Sequence, residues 1–349
     1  MIDFNEYKKK FHDAALVKGY NEELIEKVLK YAEKLNAQDL PIIYDQLHLS
    51  FLLGIDYDYL LSVSNSPVSF YKHYEIPKRN GGTRPIEEPL PLLKEAQEWI
   101  LDNILEPKSK DFVSPYAKAF MKNVSLRDNA RFHRGKKVVV ALDLHDFFGS
   151  VHTGAVYGIF KKMGYTKAVT TMLTKLCILR NSLPQGAPTS PMLSNMMFYN
   201  LDKTIFHYCV TRGIRYTRYA DDMTFSGDDF NVRNLINYIN MVVGKKRFSL
   251  NKEKTKVMGQ GTVQRVTGVI VNKKLQVSKS YRDRVRQEVY YSIKYGFADH
   301  MKQIALPAWI QTPEVYRNHL LGKVNFILQI NPKDEEFIRY ANWLKEYSF

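Results

Sequence analysis

The sequence predicts an α+β fold, and three observations lead to that class. Residues 136–144 (KKVVVALDL) are rich in β-branched side chains, which is typical of a buried central strand. Residues 214–226 (IRYTRYADDMTFS) carry aromatic and threonine side chains on both sides of Ala-Asp-Asp, which predicts a hairpin with acids at its tip. Helical patterns separate the strands, and an antiparallel hairpin does not fit a doubly wound parallel sheet.

Helices are predicted from apolar periodicity and from capping residues. Residues 21–35 form an amphipathic helix with Asn21 as its N-cap, and residues 45–54 form a second helix that ends at Gly54. Residues 90–105 and 154–180 are also expected to be helical.

The remaining segments are predicted from turn signals. Residues 74–89 contain Asn80-Gly81-Gly82 between extended flanks, which indicates a hairpin or a flexible loop. Residues 182–194 form a Pro/Gly-punctuated turn that leads into a helix, and residues 266–271 (VTGVIV) are predicted to be a further strand. Residues 280–349 are mixed helical and basic, with breaks at prolines.

Composition narrows the function classes. The 349 residues carry 51 basic and 36 acidic side chains, a net charge of +15, which suits a nucleic-acid partner but also a plain solvated surface. No apolar run is long enough to span a membrane, and the N-terminus lacks the apolar core of a signal peptide, so a cytoplasmic protein without membrane contact is expected. Cys177 and Cys209 show no zinc or disulfide pattern.

Three carboxylates carry the chemical prediction. Phosphoryl transfer from a nucleoside triphosphate uses two Mg²⁺ ions about 3.5–4 Å apart, which bind hard oxygen ligands. Asp143 at a buried strand end could face Asp221 and Asp222 at the hairpin tip if their strands are neighbours. The alternative is plain turn acids, the interpretation preferred for the second pair, Asp228–Asp229.

The motifs around these acids resemble those of reverse transcriptases. Tyr219-Ala220-Asp221-Asp222 looks like the family's Tyr-x-Asp-Asp box, residues 143–148 (DLHDFF) resemble its first acidic motif, and residues 183–186 (LPQG) resemble its glutamine-glycine motif. All three occur in the family's order. Residues 76–84, 250–255 and 321–332 are similar to its fingers, lysine and thumb segments, so the resemblance covers about residues 45–335.

Two short segments resemble the bacterial retron branch of this family. Residues 129–133 (NARFH) match its Asn-Ala-x-x-His pattern, and residues 266–268 (VTG) match its Val-Thr-Gly segment, where group II intron enzymes carry Phe-Leu-Gly. The resemblance implies a right-hand polymerase with fingers, an antiparallel palm sheet backed by helices, and a helical thumb. The implied segments are an N-terminal helical region (1–70), fingers (71–135), palm (136–275, with fingers/palm helices at 154–200) and thumb (276–349).

The resemblance also implies roles for individual residues. The expected metal ligands for two Mg²⁺ ions are Asp143, the Leu144 carbonyl, Asp221 and Asp222, and Lys254 is the expected general acid for the leaving pyrophosphate, with a solvated lysine as the alternative. The expected contacts to the incoming deoxynucleotide are Lys78, Arg84, Asp146, Phe147, Phe148, Gln185 and Gly186. Within this set, Phe148 would exclude a ribose 2′-hydroxyl, and a core position is the alternative for Phe147 and, to a lesser degree, for Phe148.

RNA recognition is the least defined expectation. Asn129, His133 and Thr267 are expected either to contact RNA or to support the surface that does. Arg282 and Arg286 share a helix face at i, i+4 and are expected to bind duplex phosphates, with a solvated helix as the alternative.

The resemblance to retron enzymes implies partners and a product. The enzyme would copy its own structured noncoding RNA from an internal 2′-hydroxyl, which yields branched multicopy single-stranded DNA (msDNA). A host ribonuclease H would remove the template, and an effector (toxin) protein would join the system in anti-phage defence. The alternatives are a group II intron or other antiphage-type reverse transcriptase, and an RNA-binding scaffold that neutralises an effector.

Overall fold

The computed structural model describes residues 3–78 and 81–349 and divides the chain into two units. The first contains residues 1–115 and 146–203, and the second contains residues 116–145 and 204–349. The helices are α1 (Phe4–Val17), α2 (Glu22–Asn36), α3 (Gln46–Leu53), α4 (Tyr57–Asn65), α5 (Pro91–Ile100), α6 (Ser109–Phe112), α7 (Leu126–Ala130), α8 (Thr153–Lys162), α9 (Lys167–Cys177), α10 (Ser190–Met197), α11 (Tyr199–Val210), α12 (Val232–Gly244), α13 (Lys279–Tyr295), α14 (Phe297–Gln303), α15 (Pro313–Ile330) and α16 (Glu335–Glu346). The strands are β1 (Tyr71–Pro77), β2 (Thr83–Pro89), β3 (Val138–Leu144), β4 (Arg215–Tyr219), β5 (Asp222–Gly227), β6 (Leu250–Gly259), β7 (Arg265–Val266) and β8 (Val269–Ile270).

The N-terminal helices of the first unit follow their capping signals. The side chain of Asn21 accepts a hydrogen bond from the backbone N–H of Leu24 at 2.9 Å, and α2 buries one face that includes Ile25 and Leu29. Helix α3 ends at Gly54, which adopts the left-handed conformation with φ +65°. Both predicted helices are confirmed.

A two-stranded hairpin follows in the same unit. β1 and β2 pair antiparallel from Tyr71–Pro89 to Pro77–Thr83. The backbone N–H of Lys78 donates to the Gly82 carbonyl at 2.9 Å, which confirms a hairpin at this position. The predicted turn residue Asn80 lies outside the described residues.

Two predicted helical segments of the first unit are observed with altered bounds, and a predicted turn is observed as expected. Residues 90–105 form α5, which continues into a π-helical turn (Leu101–Leu105). The segment 154–180 is not one helix, because it breaks at Gly164 (φ +103°) into α8 and α9. The turn at residues 182–194 leads into α10, as predicted, and Pro191 lies in the first turn of that helix.

A four-stranded antiparallel sheet, with strand order β4-β5-β3-β6, forms the base of the second unit. β3 is a central strand and buries Val139, Val140 and Leu142, as its β-branched sequence predicts. β4 and β5 form the predicted hairpin, with Tyr219 paired to Asp222 at its end. The α+β prediction with an antiparallel sheet is confirmed.

The predicted strand at residues 266–271 is wrong. The segment turns back on itself after Val266, so that β7 pairs with β8 through a two-residue turn. Thr267 and Gly268 both have positive φ, +46° and +87°, as a type I′ turn requires. A β-branched residue is uncommon in that conformation, which is why the sequence indicated a strand.

The last four helices, α13 to α16, belong to the second unit, and their apolar faces pack into one core. Tyr316, Leu320, Val324, Phe337 and Leu344 are among its fully buried members. α15 begins at Pro313, where a break was predicted. Across the described helices, none has the length and apolarity that crossing a membrane would require.

Candidate active site

Asp143 and Asp222 face each other across neighbouring strands of the second unit. Asp143 is the penultimate residue of β3, where it is 6% exposed, and its register partner is Asp222, the first residue of β5. Directly opposed residues have Cβ atoms about 4.5–5.5 Å apart, and two like charges at that separation are unfavourable. The strand pairing therefore builds a cluster that attracts positive charge.

Asp221 joins this cluster through the hairpin turn. Ala220 and Asp221 form a two-residue turn between Tyr219 and Asp222. Ala220 has a φ of +56°, an uncommon conformation for a residue with a side chain, so the turn holds its backbone under strain. The Asp221 carbonyl accepts a hydrogen bond from the Leu144 N–H at 3.1 Å, which ties the turn to the end of β3.

Lys254 approaches Asp143 from the opposite neighbour, β6. Asp143 pairs with Asn251 and Ala141 pairs with Lys256, so residues 252–255 lie opposite Leu142 as a bulge. Such a bulge redirects side chains. The Lys254 ammonium lies 3.0 Å from both carboxylate oxygens of Asp143, while its side chain remains 60% exposed.

The negative charge of the cluster affects the pKa of Asp222. Its pKa is raised to about 6, first because neighbouring protein atoms displace water from its carboxyl group, and then because Asp221 and Asp143 are negative. Lys254 and Lys256 act in the opposite direction. The carboxylates together therefore lack positive charge, a condition that a metal ion satisfies.

The donor set fits a magnesium ion in its chemistry. Within residues 3–78 and 81–349, no group of three or more His, Cys, Asp or Glu side chains is placed to hold a metal by itself. Mg²⁺, however, usually takes one or two carboxylates and completes its octahedron with waters and substrate phosphates. Asp143, Asp221 and Asp222 supply hard oxygen atoms of that kind, and a backbone carbonyl such as that of Leu144 is a suitable further ligand.

The predicted phosphate-binding cations lie in the first unit. Arg84 is on β2, opposite Ile76, and Lys78 follows β1 directly. Both side chains are exposed. The side chains of Lys78 and Arg84 are thus exposed to solvent on a hairpin whose strand register is defined.

The Gln185-Gly186 loop packs on the same hairpin. The Glu87 N–H donates to the Gln185 carbonyl at 2.9 Å. Gly186 has a φ of +144°, and a Cβ atom there would lie 2.6 Å from the Glu87 carbonyl oxygen. Glycine was expected here to let a substrate approach. The structure shows that the backbone also approaches β2 closely at this glycine.

Asp146, Phe147 and Phe148 form a tight turn of the first unit. Asp146 has a φ of +41°, and its carboxylate occupies the space that a side chain at Gly149 would need. Phe147 is buried at 5% exposure and packs on Phe198 with ring centroids 5.3 Å apart, which fits the alternative of a core position. Phe148 is half-buried, with its ring edge-on to that of Phe147.

Asn129 and His133 are fully buried in the second unit. His133 bonds to Thr217 and Ser226 of the hairpin, and Asn129 bonds to Thr217 and Thr267. Direct RNA contact by these two side chains does not agree with their burial, because RNA cannot reach them in this conformation. Burial favours the alternative that they support other residues.

Arg282 and Arg286 are both paired with acids. Arg282 bonds to Asp334 and Glu336, and Arg286 bonds to Glu336 and Asp283. The side chain of Arg282 is only 15% exposed. These ion pairs argue against the expected phosphate contact at Arg282, whose guanidinium is neutralised at the start of α16, and less strongly at Arg286, which remains 40% exposed.

One supporting residue of the site was missed in the sequence. Arg218 of β4 is fully buried, and its guanidinium donates to the Ala220 carbonyl at 3.1 Å, inside the strained turn. The available signal was strand alternation, which places Arg218 on the opposite side of β4 from Thr217 and Tyr219.

Comparisons with known proteins agree with these motifs. The reverse transcriptase (RNA-dependent DNA polymerase) family matches residues 76–279. The Retron Ec86 reverse transcriptase of Escherichia coli is 31% identical over 281 residues, which cover 79% of this chain and 82% of that protein. The Retron Mx65 reverse transcriptase of Myxococcus xanthus is 32% identical over 307 residues, which cover 82% of this chain and 68% of that protein.

Proposed function

The chain belongs to the bacterial retron reverse transcriptases and is therefore an RNA-directed DNA polymerase; from that premise we propose that it copies a cognate structured noncoding RNA into branched DNA at the Asp143 cluster. The observation that supports this site best is the register pairing of Asp143 with Asp222, beside a turn that carries Asp221. The family uses divalent metal ions and binds an RNA template.

We propose two Mg²⁺ ions as the cofactor, with Asp143, Asp221, Asp222 and the Leu144 carbonyl as their protein ligands. When bound, such ions neutralise the triphosphate and align the attacking and leaving oxygens. Proton donation is assigned to a residue of the chain. Lys254 pairs with Asp143 in the structure, and with metal ions on Asp143 its exposed side chain would be released to donate a proton to the leaving pyrophosphate.

The incoming deoxynucleotide is proposed to contact residues of the first unit. Lys78 and Arg84 supply positive charge for the phosphates, and an arginine can bind them in a bidentate manner. Gln185 lines the sugar pocket, and the half-buried ring of Phe148 rejects a 2′-hydroxyl. The backbone N–H groups of Asp146 and Phe147 face the phosphates, and Gly186 keeps its loop close to the substrate as well as to β2.

The segment names follow from the same proposal. We assign residues 1–70 to an N-terminal helical region, 71–135 to the fingers, 136–275 to the palm and 276–349 to the thumb.

Shape and unpaired bases, rather than phosphate charge, must select the cognate RNA, because backbone charge carries no sequence information.

The product is proposed to be msDNA joined to RNA through a 2′–5′ linkage. Synthesis begins at an internal 2′-hydroxyl of the template RNA, which has to lie within about 3–3.5 Å of the reacting phosphate for efficient attack. A host ribonuclease H then trims the template. An effector protein completes a cytoplasmic anti-phage system.

The test of this function is the chemistry of the product. Nucleic acid that copurifies with the chain from its native host is treated with a debranching enzyme and analysed on a denaturing gel. We expect DNA whose mobility changes on debranching, because the 2′–5′ bond to RNA is cut. DNA without a branch would contradict the retron product and leave only general reverse transcription.

A further inference from the structure

We infer that Asn129, His133, Thr217, Ser226 and Thr267 form one hydrogen-bonded positioning unit, which holds the β4–β5 hairpin in register with the β7–β8 turn. The inference rests on the proposed function, because the hairpin carries Asp221 and Asp222. It assigns the two retron-like segments, 129–133 and 266–268, a shared task inside the protein rather than on its RNA-binding surface.

The direction of each hydrogen bond in this unit follows from its neighbours. The Thr217 hydroxyl donates to Asn129 Oδ1 at 2.6 Å, so its oxygen accepts from His133 Nε2–H at 2.8 Å. Nδ1 of His133 therefore has no proton and accepts from the Ser226 hydroxyl at 2.8 Å. Asn129 Nδ2 donates onward to Thr267 Oγ1 at 3.3 Å. The chain of donors runs one way from Ser226 to Thr267.

Burial makes this chain cooperative. Asn129, His133 and Ser226 are 0% exposed, and Thr217 is 1% exposed. Where water is absent, a donor or acceptor that loses its partner stays unsatisfied, so a break at one link raises the free energy at the next. The two hairpin strands, the segment before β3 and the β7–β8 turn are consequently favoured in one relative arrangement.

The unit also shares a face of the sheet with the carboxylates. Side chains two residues apart on a strand point the same way, so Thr217 lies on the face of Tyr219, and Ser226 lies on the face of Asp222. Tyr219 and Asp222 are register partners. Thr217 is one repeat, about 7 Å, from Tyr219 along β4. A shift at Thr217 is thus transmitted directly to the turn that carries Asp221.

The backbone conformation of Thr267 independently supports its role in the positioning unit. Its φ of +46° is unfavourable for a β-branched residue, and glycine or asparagine would form the turn with less strain. The hydroxyl group that accepts from Asn129 is what threonine adds at this position. The turn therefore keeps a strained residue that the network uses.

The experiment compares matched variants of the full chain on a generic primed RNA template, with one dNTP varied. Thr217→Val removes the hydroxyl at nearly constant shape, and Thr217→Ser keeps it. We expect Thr217→Val to lower kcat by about 10²-fold, since a misplacement of about 1 Å has that effect, with KM for the dNTP within about twofold. Thr217→Ser should recover kcat to within about threefold of wild type. A folded Thr217→Val protein with wild-type kcat would overturn the inference.

A second pair separates positioning from stability. Thr267→Gly relieves the strained φ but removes the acceptor for Asn129, whereas Thr267→Ser retains it. We expect the kcat of Thr267→Gly to fall while its urea midpoint stays close to that of wild type, because relief of the strained φ offsets the lost hydrogen bond, and Thr267→Ser to keep the wild-type kcat. An unchanged kcat in Thr267→Gly would remove the turn from the unit.

An Asp221→Asn arm distinguishes failure of the inference from failure of the proposed function. If Asp221→Asn still incorporates nucleotides at the wild-type rate, the proposed site itself is wrong. If Asp221→Asn is inactive while Thr217→Val is fully active, the site stands and the positioning unit is refuted.

Discussion

Lowering the pH should reduce the free energy of unfolding through His133, and the surroundings of this residue determine the size of the effect. Burial, followed by the nearby positive charge of Arg215, lowers the pKa of His133 from 6.5 to about 3. An unfolded chain binds a proton at this histidine below its ordinary pKa, while the folded protein does not. The free energy of unfolding therefore falls as the pH drops through 6.5 toward the folded pKa.

The expected loss is about 2 kcal/mol between about pH 7.5 and pH 5, at up to about 1.4 kcal/mol per pH unit. His133 is fully buried, so solvent does not screen this effect. Protonation of Nδ1 would reverse its hydrogen bond with Ser226, and the cation would be buried near Arg215, which disfavours it in the folded state.

The assay is urea unfolding, followed by circular dichroism, of the wild type and His133→Gln at about pH 5, 6 and 7.5. Glutamine does not titrate, so the stability advantage of the wild type should shrink by about 2 kcal/mol across this range. His12→Gln is a control of opposite sign, because hydrogen bonds that the His12 ring donates to the Glu22 and Asp13 carboxylates raise its pKa, and the wild-type advantage at this position should not shrink on acidification. A constant advantage for His133 would refute the lowered pKa.

Three further substitutions test single contacts. Gly186→Ala should destabilise the chain by about 1–3 kcal/mol in thermal unfolding, because its Cβ would meet the Glu87 carbonyl, whereas Gly158→Ala in α8 should be neutral or stabilising; equal effects would discount the clash. Phe148→Ala should reduce the preference for deoxynucleotides by about 1–3 kcal/mol in a competition assay, and an unchanged ratio would assign the ring to the core. Arg282→Ala should lower stability by about 1–3 kcal/mol without changing the salt dependence of RNA affinity; a slope reduced by about one would restore a phosphate contact there.

The central strand and its acidic hairpin could be predicted from the sequence because both depend on local patterns. A β-branched run specifies β3, and strand residues around Ala-Asp-Asp specify β4 and β5. Whether Asp143 and Asp222 would be opposite each other was conditional on strand order, which local patterns do not contain. The register pairing supplies that fact.

The contacts of the supporting residues could not be predicted, since their partners are distant in sequence. His133 and Ser226 are separated by 93 positions, and Asn129 and Thr267 by 138. Short motifs at these places indicated a family but not that their side chains bond to one another. Tertiary contacts also differ from the local expectation at Arg282. The helix pattern predicted a contact with RNA phosphates, but Asp334 and Glu336 bind its guanidinium.

The central claim, that the Asp143 cluster performs RNA-templated DNA synthesis, is tested most directly by one pair of variants. Asp221→Asn and Asp229→Asn remove one carboxylate each, from the candidate site and from the exposed second Asp-Asp pair. With Mg²⁺, dNTPs and a primed RNA template, Asp221→Asn should lose nucleotide incorporation by about three orders of magnitude or more, because it removes a ligand for metal ions that stabilise the transition state by several kcal/mol. Asp229→Asn should incorporate nucleotides as the wild type does. Full activity in Asp221→Asn, with RNA binding and folding intact, would contradict the account.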